Sequence, residues 1–467
     1  MPVMPKIFAI CLLLLGLAAT MRGAAANHLG GIADPVQSHS RNRNLVYGDE
    51  AQTRGALTYF LERGKPDAVA ALIVALRFRI GINAEITAVL QALTGHQAGT
   101  WADWVEWQQD HPEIKYHRSF LGIKRDGLGR IDPRYRLFFR TGWDQPEDMR
   151  IRLEEIVWGG PRAMDGIPAL NHPKMIAAQA ADYMLDGDLV FGIKINGDAR
   201  AYPLRIMGWH EMFNDVIGGV PVALAYCTLC GSGILYETRL AGRAKHIVFG
   251  SSGLLYRSNK LMFDWDSFSL WNQFTGGPVV GPLAKSGLVL KTRPVVIMTW
   301  AAWRARHPET RILSLDTGFA RNYDSGVVYK DYFASPDLMF PVSVRKTKKF
   351  RKKEFIFGIR ELGLAKAWPL SAFAGRNLIN DRIGARRIVL LGDAKSRTVR
   401  AYDRNNIEFQ SLKTDGLLSS SGETWQITEA NLIGPAGQKL RRVAGVLSYW
   451  FAWDNYMGLK SEYYKGE

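Results

Sequence analysis

Cysteine is nearly absent from this chain, with three in 467 residues. Cys11 lies in an apolar N-terminal stretch, and Cys227 and Cys230 stand together in "ALAYCTLCGSGILY", residues 223 to 236. No further cysteine competes for that pair, so its thiols are explained by pairing, by metal or by redox work. A second long apolar run is missing too. With 47% hydrophobic residues, the body of the chain therefore reads as a soluble globular protein, and its length favours two or three domains. The spacing G-x-S-x-G is absent from "FGSSGLLY", residues 249 to 256, where Ser251 and Ser252 lie between glycines. That excludes a nucleophile elbow there and leaves a Cys-His nucleophile open on composition alone. Acid is in deficit, with 44 Asp and Glu against 60 Lys and Arg and a formal charge of +16.

What is present begins with "MPVMPKIFAICLLLLGLAATMRGAAANH": one lysine, an apolar core from Ile7 to Ala19, then Ala24-Ala25-Ala26. This pattern predicts a secretory signal peptide over residues 1–26, cleaved near Ala26, because a membrane span needs about 20 apolar residues. Cys11 leaves with it. The expected location is the periplasm or another exported compartment, where disulfides persist. Removing Lys6 and Arg22 takes the charge from +16 to +14. Much of the excess is local, in "RKTKKFRKK" at 345–353, which reads as a solvated linker or as a segment attracted to an anionic membrane surface. Nucleic acid is not an expected partner, and the sequence specifies no protein partner.

Residues 27–114 read as a small helical region, with Asp67, Asn83 and Thr100 as helix caps and Gly95 as a stop. Trp101, Trp104 and Trp107 fall near one helix face and are expected in its core. Residues 115–164 read as a connector.

The stretch 188–224 can then be laid without a gap on 354–390. Phe191, Gly192, Gly197 and Pro203 meet Phe357, Gly358, Gly363 and Pro369, and Asn214-Asp215 meets Asn380-Asp381. Further on, Trp271 has a counterpart in Trp425, and Trp300-x-x-Trp303 recurs as Trp450-x-x-Trp453. The expected class is α+β, with two β-rich lobes from an internal duplication: a first copy over 165–342 and a basic linker with a shorter second copy over 343–467. Each copy is expected to run strand, glycine turn, strand ending at the proline, a helix of about ten residues, then an apolar strand.

The copies differ where chemistry is possible. His210, Glu211, Cys227 and Cys230 face Arg376, Asn377, Asp393 and Ser396. Three uses of the cysteine pair stay open. A disulfide across so short a loop stabilises modestly. A redox pair is a second use, although the segment after it reads as loop and strand and not as a helix start. The third is a metal site of Cys227, Cys230 and His210, since two thiolates and an imidazole suit copper or zinc. Met207 and Met262 are further soft donors with a more ordinary place in the core. No catalytic residue and no enzymatic reaction is assigned by these patterns.

The strings "DGIPAL", "NGDARAYPLRIMGWHEMFND", "YCTLCGSG", "SGLLYRSNKLMFD", "SLWNQFTGGPVVGPL" and "TWAAWRARHP" occur in order and resemble the exported bacterial and archaeal proteins of domain-of-unknown-function family 3179. The resemblance is close over about 165–342 and looser through the second copy. The family's Trp-His-Glu and Cys-x-x-Cys-Gly motifs fall on Trp209, His210, Glu211, Cys227, Cys230 and Gly231. Thr228 stands where members commonly have proline, and Gly208 where they commonly have asparagine. The resemblance implies a shared fold and motif set and carries no established reaction.

Overall fold

A computed structural model describes residues 30–140, 149–342, 349–361, 363–413 and 416–466. The expected signal peptide, its cleavage site and Cys11 lie outside the described residues, as do residues 345–348 of the basic run. Among the described residues no helix is long and apolar enough to cross a membrane.

The N-terminal part is helical, and its caps show why each helix begins where it does. Asp49 opens the helix Glu50–Arg63 through a capping box with Gln52, and Thr100 opens Trp101–Asp110 through one with Asp103. Gly64 and Gly95 end their helices in the left-handed conformation that glycine adopts without cost. Asp67 and Asn83 do not cap. Each lies where a 3-10 turn, Pro66–Ala68 or Ile80–Ile82, feeds directly into a helix, and Asp67 is instead drawn into a two-point ion pair with Arg63 at 2.5 and 2.7 Å. Trp104 is fully buried, while Trp101 and Trp107 pack at the edge of the same core. Within 115–164 the chain forms a further helix, Phe120–Ile131, and the strand Ile156–Trp158. Phe138 meets Phe263 with ring centres 5.3 Å apart, so the helical region shares its core with strands of the first lobe.

Two β-rich lobes follow, built on one plan. In the first, strand Leu189–Ile195 lies antiparallel to both Asp198–Pro203 and Val296–Thr299, and Arg311–Leu313 runs parallel to Asp198–Pro203. In the second, Phe355–Glu361 lies antiparallel to Leu364–Pro369 and Val446–Tyr449, and Ser461–Tyr463 runs parallel to Leu364–Pro369. The registers agree, since Phe191 pairs with Tyr202 as Phe357 pairs with Trp368, and Gly192 with Val296 as Gly358 with Val446.

Side chains repeat the plan. A Cβ on Gly192 would stand 2.3 Å from the Trp303 ring, and one on Gly358 would stand 2.2 Å from the Trp453 ring. Asn214 bonds the Phe249 backbone at 2.8 and 2.9 Å, and Asn380 bonds that of Phe409 at 2.7 and 3.1 Å. Phe249 meets Trp271 edge-on, as Phe409 meets Trp425. The expected ten-residue helix is shorter. It spans Leu204–His210 in the first copy and shrinks to the 3-10 turn Leu370–Phe373 in the second. The shared Asn-Asp pairs lie on strands, Met212–Ile217 and Leu378–Ile383. In the first copy, Gly218 and Gly219, both at positive φ, fold the chain back into a hairpin with Val220–Cys227.

The lobes contact each other reciprocally. The Tyr449 amide donates to the Cys230 carbonyl at 2.8 Å, and the Thr398 hydroxyl donates to the Ile297 carbonyl at 3.0 Å. One apolar cluster contains Phe191, Tyr226 and Leu235 of the first lobe with Phe357, Trp368 and Leu390 of the second. This shared core fixes how the first lobe's cysteine turn meets its sister lobe.

Candidate functional site

Strands Val220–Cys227 and Ser232–Glu237 are joined by the turn Cys227-Thr228-Leu229-Cys230-Gly231. The Cys230 amide donates to the Cys227 carbonyl at 3.1 Å and the Gly231 amide to the Thr228 carbonyl at 3.2 Å. Gly231 has φ 62°, a backbone a side chain rarely adopts, and a Cβ there would stand 2.8 Å from the Phe355 ring. Cys227 and Cys230 are joined in a disulfide with Cα atoms 5.2 Å apart. Cys227 keeps 3% of its surface and Cys230 none.

Thr228, Leu229 and Cys230 are each held from a different side. The Thr228 hydroxyl donates to the Glu211 carboxylate, whose other oxygen takes the Lys260 ammonium at 2.9 Å. The Tyr332 hydroxyl donates to the Leu229 carbonyl at 2.6 Å. Cys230 Sγ lies 2.9 Å from the Ser258 carbonyl oxygen. That carbonyl is presented by a two-residue hairpin turn, Arg257-Ser258, in which both residues have positive φ (46° and 63°) although neither is glycine. Such a backbone is strained and persists only where its surroundings hold it. Arg257 is held by Glu155 at 2.6 Å, and the Ser258 hydroxyl lies 3.3 Å from Asn455 of the second lobe. Tyr329 completes the wall; burial, with the Glu211 charge adding to it, pushes its hydroxyl up to about 12.

The Trp-His-Glu segment divides at the end of its helix. Glu211 adopts φ 55°, and this left-handed step turns its side chain to the cysteine turn. His210 is fully buried and takes other partners: Nδ1 is 2.9 Å from the Pro168 carbonyl and Nε2 is 2.5 Å from the Tyr323 hydroxyl. A carbonyl only accepts, so Nδ1 carries the proton and Nε2 accepts from Tyr323. Burial holds the imidazole below its ordinary range, in keeping with that neutral form. The structure thus joins the two cysteines to each other and gives His210 a separate hydrogen-bond chain. Among the described residues no group of three or more His, Cys, Asp or Glu is arranged to hold a metal ion. Met207 and Met262 are fully buried in apolar clusters.

The residues that sequence reasoning missed are Thr228, Lys260, Ser258 and Tyr329. All but Thr228 reach the turn from distant parts of the chain. The one available signal was internal: Thr228, Ser258 and Lys260 fall within strings already matched to the family motifs.

The second copy offers a direct comparison. Its equivalent turn carries Asp393 and Ser396 at the two cysteine positions, and the Ser396 hydroxyl donates to the Asp393 carboxylate at 2.6 Å. That bond is the foremost cause holding the Asp393 carboxyl below its ordinary range. Arg397, at φ 55°, takes the place of Gly231. The same turn therefore closes without sulfur, on a solvent-exposed residue, whereas the sulfur version is buried against the sister lobe.

Fold and site define a two-lobed α+β protein with one buried disulfide turn supplied by the first lobe. The chain belongs to the family described as protein of unknown function DUF3179, whose model matches residues 164–459, through both lobes. Comparison with curated proteins and with solved structures finds no match.

Proposed function

We propose that the chain is an exported thiol-disulfide protein whose Cys227–Cys230 pair passes between disulfide and dithiol. The observation that carries this is the internal comparison. A disulfide over so short a loop adds about 2 kcal/mol by the loop-entropy relation, and the sister turn closes with the Asp393–Ser396 hydrogen bond instead. Turn closure alone is thus a weak reason to place the only two cysteines among the described residues here. Exchange starts when a thiolate of a partner dithiol attacks Cys227 Sγ, on the cysteine that keeps 3% of its surface where Cys230 keeps none. The Sγ–Sγ bond breaks as the mixed disulfide forms, and Cys230 leaves as a thiolate that takes up a proton. The partner's second thiolate then displaces Cys227, so two electrons pass to this chain and the partner is oxidised. A protonated Cys230 has an acceptor in place, the Ser258 carbonyl at 2.9 Å. Glu211 and Lys260 act as positioning residues through Thr228. Export is supported by the apolar leader, and a disulfide persists in that compartment.

Titration of the native protein against reduced and oxidised dithiothreitol, with a free-thiol count, tests the proposal. Two thiols appearing together without loss of fold are expected, as is a trapped mixed disulfide in Cys230→Ser that Cys227→Ser does not form. Thiols that appear only on unfolding would reduce the pair to a structural crosslink. A copper or zinc centre bound through His210 Nε2 requires reduced sulfurs and release of the Tyr323 bond, while Nδ1 can keep the Pro168 carbonyl. Stoichiometric Cu(I) or Zn(II) uptake by the reduced protein, lost in His210→Ala, would replace the exchange proposal by that one. Intact mass of the exported form should start at Asn27.

A further inference from the structure

Away from the cysteine turn, the two lobes frame an open cleft of about 550 Å³. Its lining is strongly basic. Lys194 and Arg360 project from the strands Leu189–Ile195 and Phe355–Glu361, and the ungapped alignment of the copies lays one on the other. Lys291 and Arg441 stand at equal distances before Trp300 and Trp450, the tryptophans that open the two matched helices. Two pairs of cations, each related by the internal duplication, thus face one cavity from opposite lobes.

The carboxylates nearby do not cancel this charge. Glu361 is engaged by Arg386 at 2.6 Å. Glu429 is buried between Arg400 and Arg442, and against the cost of burial these two arginines hold its carboxyl well below the ordinary range. Lys291 shares Glu237 with Arg293, leaving one positive charge over. Lys194 and Arg441 have no ion-pair partner among the described residues, and Arg360 reaches only the Thr275 carbonyl at 3.3 Å. A concave site of this volume matches a small molecule, and cations converging from both walls of a cleft focus a field that concentrates anions.

We propose that this cleft between the lobes binds a small dianion, its two anionic groups, carboxylate or phosphate, met by the duplicated cation pairs Lys194 with Arg360 and Lys291 with Arg441. The proposal is independent of the exchange chemistry at the cysteines.

Isothermal titration calorimetry of the full chain at low salt, with inorganic pyrophosphate and with succinate, tests it; acetate is the control. One saturable site for at least one of these two-headed anions is expected, with acetate at least tenfold weaker. Lys194→Ala and Arg360→Ala should each weaken binding by about fivefold and by similar factors, as should Lys291→Ala and Arg441→Ala, because a partly exposed charge contact is worth up to about 1 kcal/mol. The Lys194→Ala/Arg441→Ala double variant should lose more than twentyfold with its circular dichroism unchanged. Absence of saturable binding for both pyrophosphate and succinate at millimolar concentration, or an undiminished affinity in the folded double variant, overturns the proposal.

Discussion

Asp165 shows how closely a single charge near the turn is tied to its surroundings. The residue sits at φ 56° and its carboxylate accepts the Ser251 amide at 3.1 Å. Burial pushes its carboxyl from 3.8 up to about 6, against the pull of that amide and of Lys260. A raised carboxyl means the folded chain binds the proton more tightly than the unfolded chain does. Stability therefore falls as pH rises from about 4 to about 6, and the deficit persists above that window. Asp165→Asn keeps the acceptor oxygen and tolerates the left-handed backbone, but carries no charge to desolvate. It should be more stable than the parent by about 2 kcal/mol at pH 7.5, after allowance for partial exposure, and equal to it near pH 4. Urea denaturation at the two pH values checks this; a gain of the same size at both would show that the charge is not its source.

At the scale of elements, the duplication was legible because it rests on residues whose roles are steric and local. Gly192 and Gly358 recur because a tryptophan ring lies where a side chain would be, and Trp303 and Trp453 recur because they supply that ring. Gly192→Ala and Gly358→Ala should each cost about 2 kcal/mol or more, since both rings are fully buried and cannot step aside. Gly363→Ala, where nothing lies within 4 Å of the added carbon, should cost only the strain of its positive φ, and less than either. Guanidinium denaturation of the three variants measures this, and a Gly358→Ala protein as stable as the parent would break the equivalence of the lobes. The cysteine turn was legible as a pair but not as a site. The strand Met212–Ile217 was hidden because its Asn-Asp pair resembles turn chemistry, whereas Asn214 serves to tie the Phe249 backbone to the sheet. His210 and Glu211 are adjacent in sequence, and one left-handed residue sends them to different places. Lys260, Ser258 and Tyr329 reach the turn only through tertiary folding, which local spacing does not encode.

At the scale of the whole molecule, the disulfide turn is also a joint. The Tyr449 amide donates to the Cys230 carbonyl, and Gly231 is pressed against Phe355 and Tyr449 of the second lobe. The matching joint on the other side, Thr398 to Ile297, contains no cysteine. Breaking the Cys227–Cys230 bond frees the turn and introduces two protons into a space where both cysteines are buried, so the carbonyl that holds Tyr449 loses its fixed position. On reduction, local opening at the strand Val446–Tyr449 should therefore become easier, and Val296–Thr299 should be unaffected. Val446 also lines the basic cleft, so any opening of this strand on reduction would be felt at one wall of that cleft. Hydrogen exchange followed by mass spectrometry, in the oxidised protein and in the dithiothreitol-reduced protein, reads both strands in one experiment. The peptide containing Tyr449 should exchange about tenfold faster after reduction, a loss of about 1.4 kcal/mol in local opening free energy, and the peptide containing Ile297 should not change. Equal exchange at both strands would mean that the turn is mechanically isolated from the lobe it touches. Acceleration at both would mean that reduction loosens the shared core as a whole and that the joint has no directional effect.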